Sequence, residues 1–248
     1  MLKKAMIIFT TVLLLSGCVG QEKTAEEKQP DQDVAESVDS SKQLIVDNLR
    51  NEKNNSLVSI EEVGYTIRIN EMERPFVYYG IIIKNNNKVK TVTEPTIVLS
   101  LKDDNGKVYM EQEQTLQYIA PDDTVIYSGI VDCGDNVPAD IKFSCKFSED
   151  GKGEEINVVK SSDLKIIDAK EELTNNTTIF TGEIQNLSQQ DMSMVEITVL
   201  IKNKGKIVMG TNTYVMELNH GESLNFELQE RDLPEHDEVI FSALPFTL

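Results

Sequence analysis

Three cysteines and two histidines carry the most reactive side chains of this chain. Cys18 ends the run Leu15-Ser16-Gly17-Cys18. Cys133 and Cys145 lie at the end of one expected strand and within the next. Two outcomes stay open for them. One is a disulfide closing a loop of about a dozen residues, worth roughly 3 kcal/mol in the chain-entropy model. The other is a pair of buried thiols acting as small apolar residues. His220 and His236 fall in expected turns. Neither has His, Cys or carboxylate company at the spacing of a metal or catalytic site, so both read as solvated loop residues.

The acidic residues are numerous but badly spaced for chemistry. Lys102-Asp103-Asp104-Asn105-Gly106-Lys107 suggests a calcium loop. The full pattern needs a Glu six residues after the glycine, and Gln112 stands there, so a hairpin turn is expected. Asp122, Asp123, Asp132, Asp135 and Asp140 form an acidic face with a weak claim on a divalent ion. Asn175-Asn176-Thr177-Thr178 matches a glycosylation sequon and reads as a loop. No nucleophile elbow, P-loop, dinucleotide fingerprint or H-E-x-x-H motif occurs. The chain is therefore expected to be no enzyme and to carry neither cofactor nor metal.

The elements around Cys18 have a clear order. Lys3 and Lys4 precede the apolar run Ala5–Leu15, which only Thr10 and Thr11 interrupt. That run is too short for a hydrocarbon core of about 30 Å, which needs about 20 apolar residues. A charged start, a short apolar run and small residues at its end describe a secretory signal. Lysines stay on the cytoplasmic side, so the chain beyond the apolar run is delivered outward. Leu15-Ser16-Gly17-Cys18 resembles the bacterial lipobox. That resemblance implies a signal peptide over residues 1–17, diacylglycerol on the Cys18 sulfur, cleavage before Cys18, and a lipid-anchored chain on the extracytoplasmic face of the cell membrane. Two or more acyl chains anchor stably where one does not.

Loss of residues 1–17 would remove two lysines and no acid, taking the net charge from −18 to −20. Such a chain is repelled by phosphate backbones, and it has no basic patch with interleaved aromatics, so nucleic-acid binding is excluded. Solubility is the simplest reading of the charge. Residues 18–54 read as the lipidated Cys and a flexible acidic tether, with a short helix over residues 44–53. Low hydrophobicity there leaves too little to bury against chain entropy. A coil of about 25 residues reaches roughly 25–30 Å.

The remainder reads as one unit used twice, residues 55–155 and 156–248. Phe76–Asn85 matches Thr178–Asn186 through an alternating apolar run, Gly80 or Gly182, and a terminal Asn. Thr96–Asp103 matches Glu196–Asn203, each followed by a Gly-Lys turn at Gly106 or Gly205. Thr115–Ile119 and Tyr214–Leu218 read as extended, then come the turns Pro121-Asp122-Asp123 and Asn219-His220-Gly221-Glu222. Val125–Val131 and Leu224–Leu228 follow, and Ile141–Cys145 and Val239–Ala243 close the copies, with Ala243 opposite Cys145. A period of two and turn residues about every ten positions predict an all-β chain of two tandem immunoglobulin-like antiparallel β-sandwiches.

These motifs resemble the FxLyD family of bacterial envelope modules. Gly182, Asn186, Val199–Asn203, Gly205 and Gly221-Glu222 carry the resemblance in the second copy; Leu99–Asp103 and Gly106 carry it in the first. Asp122-Asp123 replaces the late Gly-Glu, and the signature phenylalanine is missing from both copies. The resemblance implies a non-catalytic sandwich with no assigned chemistry. The function expected is a protein-interaction module at the envelope with an unidentified protein partner; the alternative is a small-ligand or cation-binding accessory of a transporter. Replacing Cys18 by Ser (C18S) should abolish incorporation of labelled palmitate and release the chain from the membrane fraction.

Overall fold

The computed structural model describes residues 57–147 and 158–246. Leu15, Ser16, Gly17, Cys18, the tether and the short helix lie outside the described residues.

The first copy contains β1 (Val58–Ile69), β2 (Pro75–Asn85), β3 (Val92–Thr93), β4 (Thr96–Lys102), β5 (Val108–Thr115), β6 (Tyr118–Ile119), β7 (Thr124–Asp132) and β8 (Asp140–Lys146). The second opens with a 3-10 turn at Ser161–Asp163. It continues with β9 (Leu164–Thr174), β10 (Thr177–Asn186), β11 (Met192–Asn203), β12 (Lys206–Leu218), β13 (Ser223–Arg231) and β14 (Glu238–Phe246). All strand pairs joining these elements are antiparallel. In copy one, the sheet β1-β2-β7 faces the sheet β5-β4-β8; in copy two, β9-β10-β13 faces β12-β11-β14. The strand order is the same in both copies, as a duplicated pattern requires. Copy one adds the small β3-β6 pair. The chain is thus two tandem β-sandwiches.

Core positions correspond through register. Tyr79 and Phe143 pack tilted at 5.3 Å between ring centres in copy one, and Phe180 and Phe241 pack edge-on at 6.0 Å in copy two. Tyr79 opposes Gly129, and its ring fills the space a side chain there would need. In copy two the same device recurs one pair along, where the Phe226 ring covers Gly182.

Asn85 and Asn186, which end β2 and β10, are wholly buried staples. Asn85 Nδ2 donates to the carbonyls of Lys90, Ile119 and Ala120 at 2.8–3.0 Å, and its Oδ1 accepts from Asn87 N. Asn186 Nδ2 donates to Gln190 O and Leu218 O, while its Oδ1 accepts from the Ser188 amide and hydroxyl. Buried loop carbonyls need partners, and one carboxamide supplies several at once. The late turn also superposes. Asp122 takes φ 56° where Gly221 takes 74°, so copy one achieves with aspartate what copy two does with glycine. Asparagine and aspartate tolerate this region better than other side chains.

Several strands differ from the sequence expectation. β1 and β9 have no counterpart in it, and Thr115–Ile119 is not one strand: β5 ends at Thr115 and β6 begins at Tyr118. β5 carries Glu111, Gln112, Glu113 and Gln114 on an exposed edge, so it has no apolar alternation to read. In copy two β12 runs unbroken over the equivalent stretch. Gly80 and Gly182 are not equivalent either. Aligning the buried asparagines sets Gly80 against Thr181, on the outward face, while Gly182 points into its own core. Asn186→Ala should lower stability by about 2–3 kcal/mol in urea unfolding, because it strands buried carbonyls and an amide.

Candidate functional site

The two sandwiches belong to one compact unit, and they meet across a seam. Outward residues of β1, β2 and β7 pack on outward residues of β12, β11 and β14. Strand β12 crosses the first copy's sheet: Ile207 lies over Gly64, Gly210 over Gly80, and Asn212 beside Ser128. Side chains would not fit at the closest points. A methyl on Gly210 would lie 2.7 Å from Tyr79 O, 2.7 Å from Ser128 Cβ and 2.8 Å from Gly80 Cα. One on Gly64 would lie 1.8 Å from Ile207 O. Backbone therefore meets backbone, and Leu200, which points away from its own sandwich's core, is fully buried against Gly80.

Polar groups satisfy the rest of the seam. The edge of β12 is closed by side chains from β1: Ile207 N donates to Glu62 Oε1 at 2.9 Å, and Thr66 Oγ1 donates to Val208 O at 2.6 Å. Glu62 Oε2 also pairs with Lys202 Nζ at 2.9 Å, and Lys202 is only 11% exposed. Arg68 lies over the Tyr78 ring at 4.7 Å and donates to Glu230, Met209 Sδ and Asp232 O. A cation held by a ring face, a carboxylate and a carbonyl together gains fixed geometry as well as charge. Ser161 fastens the start of copy two to the late turn of copy one, through its amide and hydroxyl on the Asp123 carboxylate at 2.9 and 2.6 Å.

One titratable group sits inside this seam. Glu196, on β11, is 1% exposed. Its Oε1 accepts from Asn212 Nδ2 at 3.0 Å and from Thr198 Oγ1 at 3.4 Å. Asn212 also donates to Ser128 O at 3.2 Å, tying the carboxyl to the first copy. Burial pushes the Glu196 carboxyl up to about 7, against the two hydrogen bonds that favour its charged form. The buried Ser128 Oγ has no hydrogen-bond partner among the described residues.

The anticipated site residues fare differently. Cys133 and Cys145 are free thiols. β7 and β8 do not form a hairpin: they lie in opposite sheets. Gly134, next to Cys133, approaches Met110, level with Leu101 and Ile141 at the start of β8. Cys145 lies four residues further on, about 13 Å along a strand. Burial raises both thiols to about 11. His236 is not a free loop residue. Its Nδ1 meets Pro234 O at 2.8 Å and its Nε2 meets Glu171 at 2.9 Å, which raise its pKa although burial opposes them. His220 is held through its ring by Ser188 O and through its amide by Asp191.

The acidic face is dispersed into pairs: Arg74 with Asp132, Lys102 with Asp140, Lys84 with Asp122, and Ser161 on Asp123. Among the described residues no group of three or more His, Cys, Asp or Glu is placed to hold a metal ion. Asp103 Oδ1 accepts from Asn105 N and Lys107 N, so the calcium-like segment is an Asx turn. Asn175 and Asn176, at φ 49° and 61°, make the tight turn between β9 and β10. A shallow polar depression on the outer face of β9-β10-β13 is lined by Asp168, Lys170, Thr181, Glu183 and Glu227. None of the described helices is long and apolar enough to cross a membrane.

No family model and no curated protein matches the chain. The FxLyD resemblance therefore rests on its short strand and turn motifs. Gly210→Ala should cost about 1–3 kcal/mol, the usual penalty of overpacking. Thermal unfolding measures that cost. The loss should be accompanied by faster hydrogen exchange in β12 and β2 but not in β4.

Proposed function

We propose that the chain is a lipid-anchored extracytoplasmic lipoprotein whose paired sandwiches form a non-catalytic protein-interaction module at the cell envelope. The observation that carries this reading is the N-terminal sequence: two lysines, a short apolar run, and Leu15-Ser16-Gly17 before Cys18. The acidic stretch after Cys18 spaces the sandwiches from the lipid. Their motifs are those of FxLyD-like modules, to which no chemistry is attached. A fold alone does not license a function, so the anchor carries more weight here than the scaffold.

The ligand-binding alternative would draw support from a cleft between the sandwiches. Their seam is instead packed backbone to backbone around Gly80 and Gly210. That favours a single rigid body with its outer faces available. Crosslinking in living cells tests the proposal. The wild-type chain should capture the same envelope protein reproducibly, and C18S should lose that capture with its membrane attachment. Reproducible absence of any captured protein in the wild type sinks the interaction reading. A membrane-bound C18S chain sinks the anchor.

A further inference from the structure

We propose that Glu196 makes the docking of the two sandwiches pH dependent: its protonated form closes the seam, and its ionised form loosens it. The inference rests on the seam geometry and is independent of the envelope reading.

The carboxyl lies where β11, β12 and the first copy's sheet meet, with 1% of its surface exposed. A charge there has little solvent to stabilise it. The partners present are neutral: the Asn212 amide at 3.0 Å and the more distant Thr198 hydroxyl at 3.4 Å. No ion pair with Glu196 occurs among the described residues. The cations of the seam are committed elsewhere, Lys202 to Glu62 and Arg68 to Glu230. The titratable groups acting on it are Tyr79 from β2, Tyr127 from β7 and Tyr214 from β12. A tyrosine is never cationic, and burial raises all three above the ordinary tyrosine value, so none ionises near neutrality. Leu244 of β14 stands opposite Glu196 in register and packs into the first copy's core. No group around the carboxyl supplies a positive charge, and the two donated hydrogen bonds do not outweigh its burial.

Position turns this into a device. Asn212 holds Glu196 with one hand of its amide and Ser128 O with the same nitrogen, so the group that solvates the carboxyl also spans the two sandwiches. Ionised Glu196 gains by meeting water, and water reaches it only if the seam parts. A glutamate whose docked-state pKa is raised binds a proton more tightly docked than undocked. Docking is then strongest below its ordinary range near 4.5, weakens as pH rises through about 7, and levels off above that. Between pH 5.5 and 8 the linkage amounts to roughly a twentyfold change in the undocking equilibrium.

Hydrogen exchange of the full-length chain in detergent, corrected for the chemical exchange rate, reads this directly. From pH 5.5 to 8, peptides covering 76–82, 124–131 and 206–214 should lose protection roughly twentyfold, while those covering 96–102 should not. E196Q, nearly isosteric and uncharged, should keep seam protection equal at both pH values. E196L serves as a second neutral replacement. His236, paired with Glu171, also weakens as pH rises, but it lies on β9's side of copy two, and its effect survives E196Q. Unchanged seam protection in the wild type overturns the proposal. So does an equal pH response in E196Q or E196L, or a wild-type loss that spreads evenly over 96–102. If neither variant folds, the wild-type series decides by the localisation of its loss and its midpoint near pH 7.

Discussion

Everything in the arrangement of the two sandwiches depends on three absent side chains. Gly64, Gly80 and Gly210 let strands from different sandwiches approach until main-chain atoms touch. At that distance the edge amide of Ile207 and the carbonyl of Val208 come within reach of Glu62 and Thr66. Leu200 becomes a core residue although it faces outward from its own copy. Arg68 can span the seam only because its neighbours are this close. Two polar-faced modules joined by a flexible link would move independently. Here the short contact distance converts them into one body. The same closeness excludes water around Glu196.

The two sandwiches share their strand order and core positions and differ at the seam. The pairs Tyr79 and Phe180, Phe143 and Phe241, and Asn85 and Asn186 do the same work in each copy. The late turn keeps its backbone shape while its residue changes from Asp122 to Gly221. The glycines have changed roles. Gly182 makes room for a ring inside its own core, whereas Gly80 makes room for another sandwich. An alternating pattern shows that a glycine interrupts a strand, but not which side it vacates. A shift of one position decides between core and interface.

That distinction marks the limit of what is legible in the sequence. The all-β class, the repeat and most strands are legible because one face of each is apolar. β5 is not, because its edge is dressed in Glu and Gln. Of the two outcomes open for Cys133 and Cys145, the thiols are free: the hairpin that would have brought them together does not form, because β7 and β8 belong to different sheets. Glu196 reads in the sequence only as a strand residue. Its one signal is a charge beginning the run from Ile197 to Ile201, in which every residue is buried on both faces. Such a run announces a covered sheet, and a carboxylate beside it is out of place. The seam itself joins residues from 38 to 164 positions apart, which no local pattern records.

The seam also joins unlike surfaces, the β1-β2-β7 face of one copy and the β12-β11-β14 face of the other. A head-to-tail contact of this kind can in principle be repeated without end, since each body still offers the complementary surface. Here the chain's remaining faces differ at the contact positions. By register, Lys170 and Thr181 stand on copy two's outer sheet where copy one has Gly64 and Gly80. Glu111 stands on copy one's outer sheet where copy two has Gly210. Each blocks the close approach with a side chain and brings it into water. The stack is capped at both ends by the residues that replaced glycine, as terminal units cap other repeat architectures.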